Sequence, residues 1–261
     1  MKKIVISLLI IILCYPFFLK DSPALVREIS LHDQSLHNGA LILINKETKL
    51  QEDPTNLAMI PAQLANNVLV DSEYWIQQDV IESLQQMFEV AAEDGVHHFK
   101  INSAYRSGEL QQQLYEENGA NYALPSGYSE HQTGLSLDIG STQGTMDKAL
   151  EGEWLANHAA QFGFILRYPD NKVEVTGIAY EPWHFRYVGL PHSIMMNKKD
   201  LALEEYIEFL KEEKEYTKKI DDEKYFVQYV DQTDLTKIPD TAKFEVSGDN
   251  LNGYIITSVI N

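Results

Sequence analysis

His131 and Asp138 stand seven positions apart in GYSEHQTGLSLDIGS, residues 127–141, with Gly134 and small side chains between them. Further along, EPWHFRYV at 181–188 puts Glu181 three residues ahead of His184. These are residue types that hold a divalent cation and move a proton. A catalytic zinc takes three protein ligands from imidazole and carboxylate groups and leaves one position for water. His131 and Asp138 offer two ligands, one from a loop and one from the strand it enters. Gly134 lets the backbone turn between them, and Ser136 leaves space beside them. His184 is the candidate third ligand, and Glu181 the candidate general base for the water. Spacing alone leaves plainer readings open. His131 also reads as a polar loop residue, Asp138 as a turn residue at a strand end, and His184 as half-buried packing. Trp183 and Tyr187 are core or pocket wall on either reading.

Other chemistries lack their parts. Cys14, the only cysteine, sits in an apolar N-terminal run, so the rest of the chain has no disulfide, thiol nucleophile or sulfur-bound metal. There is no H-E-x-x-H helix, no S-x-x-K with K-T-G, no G-x-S-x-G and no P-loop. Ser129 and His131 are two residues apart, a spacing at which a serine and a histidine rarely pair for catalysis.

The elements that must position these residues follow from periodicity. GALILINKET (39–48) predicts a strand. Ile76, Val80, Ile81, Leu84, Met87, Phe88 and Ala91 keep helical spacing from Tyr74 to Asp94, with Gly95 as the stop. A strand at 99–107 runs into a loop, and a helix follows at 108–117. LSLDIG alternates as a strand that turns Asp138 away from Leu135, Leu137 and Ile139. A helix over about 147–161, the strand FGFILRYP and another strand from about Trp183 complete an α+β layer, with helices against a small, largely antiparallel sheet. Beyond Pro191 the texture changes. Residues 201–261 form a small appendage: a charged helix whose charges make a solvated face, then three short strand-like pieces, with no chemistry assigned.

Lys2 and Lys3 precede a sixteen-residue apolar run, Ile4 to Leu19. That is a signal peptide or signal anchor over residues 1–24, slightly shorter than the ~17–25 residues of a span. Residues 25–38 then read as a polar tether, and the rest is expected outside the membrane. The formal net charge is −18, from 39 acidic against 21 Lys and Arg residues. Such a chain repels nucleic acid and anionic lipid, so the folded part has neither as a partner.

Taken together, SAYRS (103–107), SEHQTGLSLD (129–138) and EPWHFRY (181–187) resemble the zinc D-alanyl-D-alanine carboxypeptidases of the VanY type. With the elements between them, the resemblance covers about residues 39–200. It implies the small α+β DD-peptidase fold shared with hedgehog signalling domains. It further implies His131, Asp138 and His184 as zinc ligands and Glu181 as catalytic base. Arg106 resembles the arginine that stabilises the tetrahedral intermediate or holds substrate. Gln111 and Ser129 resemble residues that recognise the terminal carboxylate, although Gln111 also reads as an exposed helix glutamine beside Gln112 and Gln113. The implied substrate is a peptidoglycan stem peptide ending in D-Ala-D-Ala, which loses its last D-Ala. Vancomycin resistance would follow, because glycopeptides bind that terminus. Three alternatives stay open: a zinc endopeptidase of the same fold, a dipeptidase acting on free D-Ala-D-Ala, and a non-catalytic wall-binding module that keeps zinc.

Overall fold

The computed structural model describes residues 22–119, 123–241 and 243–260. The apolar run at residues 4–19 lies outside them. Among the described residues no helix is long and apolar enough to cross a membrane.

A five-stranded sheet carries the site, in the order Val68–Leu69, Phe99–Ser103, Ser136–Ser141, His184–Tyr187, Phe164–Leu166. Its neighbours are antiparallel except the first pair. Alternation along the strands gives the sheet an apolar face and a polar one. Leu137, Ile139 and Phe185 pack into the main core with Leu84, Met87, Phe88 and Ala91 of the helix Ile81–Glu93. Those four helix positions recur every three to four residues, the spacing that turns one helix face toward a sheet. The opposite strand face presents Asp138 and His184 to a cleft.

Several elements differ from their sequence expectations. The predicted helix from Tyr74 starts later: Trp75–Gln77 is a short strand paired with Leu57–Met59, and a 3-10 turn over Gln78–Val80 leads into the helix. Ile76 and Val80 are buried as the periodicity demands, so the pattern was sound and the backbone differs. The helix expected over about 147–161 is Leu150–His158, extended by a 3-10 turn over Ala159–Phe162.

Residues 39–48 form no strand. Leu41, Ile42, Leu43 and Ile44 are nevertheless all buried. Ile42 and Ile44 enter the main core, while Leu41 and Leu43 enter a second core. The segment is a wedge between two apolar bodies. A neighbouring strand would satisfy its carbonyls; instead Arg186 Nη2 donates to Ala40 O and Ile42 O, each at 3.0 Å.

The N-terminal tether also differs, because Leu25–Ser30 is a strand paired with Leu235–Pro239. The charged C-terminal helix is shorter than its charge run, Leu203–Glu213, and ends where Lys214 takes a φ of 63°. Glu215–Ile220 then pairs with Glu223–Asp231, so part of the run that reads as helix is strand. With Gly253–Ile260 and Phe244–Gly248 these make a four-stranded antiparallel sheet. Leu203, Tyr206, Ile207 and Leu210 of the helix share the second core with Ile165 of the five-stranded sheet and with Val227 and Ile255. The C-terminal segment is therefore packed against the five-stranded sheet rather than hung from it.

The wedge carries a stability prediction. Ile44→Ala removes a side chain with no exposure and is expected to cost about 2–5 kcal/mol in urea unfolding. Leu110→Ala, on an exposed helix position, is expected to stay within about 0.5 kcal/mol. An Ile44→Ala loss no larger than that of Leu110→Ala would show that the wedge does not hold the two cores together.

Candidate metal centre and active site

Strand pairing does most of the positioning. Asp138 and His184 are direct cross-strand partners, on adjacent antiparallel strands and on the same face. His131 comes from a 3-10 turn, Glu130–Thr133, just ahead of Asp138's strand. The turn closes at Gly134 with φ +67°, where an added Cβ would stand 2.6 Å from Leu57 Cδ2. Only glycine enters the strand from this turn without strain.

The ring of His131 is fixed by its far nitrogen: Nδ1 lies 2.7 Å from Ala104 O, a pairing that requires Nδ1 to carry the proton and donate. Nε2 is thereby left bare, 3.4 Å from Asp138 Oδ1. His184 Nδ1 approaches the same oxygen at 3.2 Å. One ligand atom from each of the three residues falls within 4.8 Å of the others. Asp138 Oδ1 is buried and has no hydrogen-bond partner in this geometry. A carboxylate oxygen in that condition is costly unless a cation meets it. Two imidazoles, one carboxylate and no sulfur are a donor set suited to catalytic zinc and a poor one for calcium or magnesium, which prefer oxygen alone. The residues fit the metal.

The electrostatics agree. Burial pulls His184 down, but Asp138 and Glu130 outweigh it and raise its pKa to about 9. Burial lowers His131, with Asp138 opposing and the Arg106 and His184 charges assisting. Burial works against the charge on Asp138, yet the two histidines hold its pKa well below the usual range. Without a cation, then, a proton on His184 compensates Asp138.

Glu181 Oε2 lies 3.8 Å from His184 Nδ1. Its backbone N–H donates to Tyr168 O at 3.0 Å, which pins the residue ahead of Pro182. Burial raises its pKa, and Asp138 and Glu130 add to this against the pull of His184 and Arg106. Arg106 Nη2 stands 3.6 Å from Asp138 Oδ2. Its Nε donates to Ser103 Oγ at 3.2 Å and its Nη1 to Gln111 Oε1 at 2.9 Å. Gln111 is not the exposed helix glutamine that its neighbours resemble. It is 1% exposed, and its Nε2 donates to Leu124 O at 2.6 Å. Both ends of its amide are engaged, which makes it the brace of Arg106. Ser129 and Trp183 line the same cleft, whose volume is about 280 Å³. All seven residues singled out in the sequence meet here.

The sequence reading missed what stands behind the ligands. Glu130, 1% exposed, faces His184 Nε2 through Oε2 at 3.4 Å, a long contact that is more charge attraction than hydrogen bond. Ser136 Oγ donates to that oxygen at 3.1 Å. The other oxygen accepts from Arg186 Nη1 at 2.7 Å and Arg167 Nε at 2.8 Å. Burial alone would raise the pKa of Glu130; the two guanidinium groups reverse that and hold it well below the carboxylate range. Tyr168, whose ring is tilted against that of His184 with centres 4.8 Å apart, was missed as well. A signal existed: FILRYP and WHFRYV each place an arginine in an otherwise apolar strand, and arginine is almost never fully buried unless paired.

Comparisons with known proteins place this architecture. A family model described as VanY, D-alanyl-D-alanine carboxypeptidase, matches residues 73–190. A D-alanyl-D-alanine carboxypeptidase of Enterococcus faecium is 43% identical over 238 residues, which covers 88% of this chain and 78% of that protein. The structure of a vancomycin-resistance D,D-dipeptidase, VanXYg, in complex with a D-Ala-D-Ala phosphinate analogue superposes with a TM-score of 0.77 at 30% identity, covering 90% of this chain and 99% of that one. A VanY D,D-pentapeptidase in complex with Zn(II) gives 0.52 at 33% identity, covering 64% of this chain and 98% of that one. The chain belongs to the VanY family of D-alanyl-D-alanine carboxypeptidases, zinc peptide hydrolases of mixed α+β fold.

Proposed function

We propose that this protein removes the last D-Ala from peptidoglycan stem peptides ending in D-Ala-D-Ala, on the outer side of a membrane that holds it by residues 1–24. The observation that carries the reading is the convergence of His131 Nε2, Asp138 Oδ1 and His184 Nδ1 beside Glu181 and Arg106 in one cleft. The Lys2–Lys3 pair ahead of an apolar run supports the extracytoplasmic placement. Loss of the D-Ala-D-Ala terminus would remove what glycopeptide antibiotics bind.

His131, Asp138 and His184 would hold zinc, which when bound supplies Lewis acidity and lowers the pKa of a water ligand toward about 7. The remaining work belongs to side chains. Glu181 takes a proton from the attacking water and delivers it to the departing amine. Its raised pKa suits both halves of that task, because a base too acidic does not take the proton. Arg106 presents a fork of N–H donors to the substrate's carboxylate or to the oxygen that gains charge. Gln111 and Ser103 fix that fork in place before substrate arrives. The braced guanidinium of Arg106, beside Gln111 and Ser129 in the cleft, matches a terminal carboxylate, which supports a carboxypeptidase over an endopeptidase.

A second reading has its own support. The similarity to a D,D-dipeptidase spans 90% of this chain, so the free dipeptide D-Ala-D-Ala is a second candidate substrate. Mass spectrometry of pentapeptide and dipeptide, each incubated with the purified protein, separates the two. Loss of one D-Ala from the pentapeptide is expected, abolished by chelator and untouched by a β-lactam. Inhibition by the β-lactam with indifference to chelator would overturn the zinc reading.

Glu181→Gln is expected to lower kcat by about 10²–10⁴-fold, the range for loss of a general base, while zinc content stays at one per chain. Near-normal kcat in that variant would take Glu181 out of the mechanism. The sign of the pH effect follows from His184. Its pKa in the metal-free protein is about 9, so at pH 7.5 the ring carries a proton that must leave before Nδ1 can bind metal. Zinc binding is expected to release about one proton at pH 7.5 and progressively less above pH 9. Calorimetry in buffers of different ionisation enthalpy reads this directly, and release that does not change with pH would remove His184 from the ligand set.

A further inference from the structure

Glu204 stands in the first turn of the helix Leu203–Glu213, inside the charge run that reads as a solvated face. Its side chain is only 16% exposed. The carboxylate grips Arg167 as a fork, Oε1 accepting from Nη2 at 2.7 Å and Oε2 from Nη1 at 2.9 Å. Asn45 Nδ2 donates to Oε1 from the other side at 3.2 Å. Arg167 in turn donates its Nε–H to Glu130 Oε1 at 2.8 Å. Glu130 Oε2 faces His184 Nε2. Glu204, Arg167, Glu130 and His184 thus form one unbroken line of charge contacts from the C-terminal helix to the cleft.

We propose that Glu204 is a positioning residue for the metal site, acting through Arg167 and Glu130 on the ring of His184. The C-terminal segment is then part of the catalytic apparatus. The proposal rests on the assignment of His184 as a zinc ligand. What a ligand imidazole's far nitrogen faces sets its orientation and basicity, and for His184 that group is Glu130. Two arginines hold Glu130, and they are held differently. Arg186 is tied to Ala40 O, Ile42 O and Tyr187 O, all backbone. Arg167 has the Glu204 fork and the face of Tyr168, 4.9 Å from its guanidinium carbon. Among the groups around Arg167, the Glu204 carboxylate sets where Nε points. Without its charge, Arg167 can swing, and Glu130 loses the register that meets His184.

The test compares Glu204→Gln with Glu205→Gln in the full-length protein. Glu205 sits one residue along the same helix and pairs with Lys172 at 3.0 Å, outside the line. Zinc affinity is read by competition with a chromophoric chelator, kcat and KM on a D-Ala-D-Ala pentapeptide, and thermal unfolding on the metal-free form. Glu204→Gln is expected to weaken zinc about 10-fold or more and to lower kcat with KM within about twofold, as for other groups that orient metal ligands. Glu205→Gln is expected to keep wild-type zinc affinity and kcat, with similar unfolding midpoints for the two metal-free variants. Wild-type zinc affinity and kcat in a folded Glu204→Gln would overturn the proposal. Should Glu204→Gln not fold, Arg167→Lys carries the same readouts, because a single ammonium cannot span both carboxylates. Wild-type zinc affinity there overturns the proposal too. Failure of both variants to fold also overturns it, since the line would then hold the fold and not the ligand. The wild-type arm keeps the two readings apart: a wild type that binds no zinc removes the proposed function itself, before any variant is compared.

Discussion

A carboxylate sealed from water organises this molecule. Taking one such ion into a protein interior costs several kcal/mol even after relaxation, and the cost is offset only when partners satisfy it completely. Glu130 meets that condition through Arg167, Arg186 and Ser136. Each arginine then has donors left over, and these fall on Glu204 and on the carbonyls of Ala40 and Ile42. Two acids and two bases balance, so the cluster adds no net charge to the core. The requirement spreads outward: the wedge at 41–44, the C-terminal helix and the turn bearing His131 all have to stand where this cluster places them. A group removed from it would leave a buried charge uncompensated, which is far more costly than the pair itself is favourable.

The cleft is the open end of the same construction. Side chains alternate across a strand, so Ser136 and Asp138 share a face, and so do His184 and Arg186. Register pairs Ser136 with Arg186 and Asp138 with His184. The deeper pair serves the buried cluster, and the shallower pair belongs to the group able to hold a metal. One slip in register would send all four to the apolar side and Leu137 and Phe185 to the cleft, a trade the core does not permit. The packing of Leu137, Ile139 and Phe185 therefore specifies the ligand geometry indirectly. His131 escapes this control because it precedes the strand, and it receives its own fixing contact from Ala104 O.

How much of this was legible follows from the range of each signal. The convergence of His131, Asp138, His184, Glu181 and Arg106 was readable because these residues are concentrated in three short strings with fixed spacing. The helix at Ile81–Glu93 was readable because its burial is periodic, whereas Gly108–Asn118 buries only Gln111 and was readable from its run of helix-forming residues behind Ser107. The wedge at 41–44 misled because a fully apolar run fits a strand as well as any segment buried on both sides. Its partners are not a strand but scattered groups more than a hundred residues away: Arg186 on Ile42 O, Asn250 on Leu43 O, Ser247 Oγ on Leu41 N and Asp249 O on Leu43 N. Residues 215–220 misled because they carry no alternation: the strand is half-buried along most of its length, and its charges continue those of the helix before it. Gln111 was ambiguous because its burial is set by the loop at Leu124 and not by its helix. Glu204 and Glu130 were invisible for one reason: a glutamate in a charge run and a glutamate in a loop look solvated until their arginines are placed against them.

The strong acidity of the chain poses a last question, since the proposed substrate ends in a carboxylate and the net charge is −18. Distance resolves it. Exposed charges are screened over about 8 Å at physiological ionic strength, so acids spread over the surface contribute little inside the cleft. Arg106 is only 19% exposed on its side chain, and its field is screened much less. Burial works against its charge, while Asp138 and Glu181 favour it. Gln111 and Ser103 take up two of its donors and leave the guanidinium rigid. On the proposed reading, recognition of the carboxylate is a short-range event, made after arrival, by a buried cation that its neighbours hold still. Overall acidity governs how the protein behaves toward other macromolecules. It does not govern which chain end the cleft accepts.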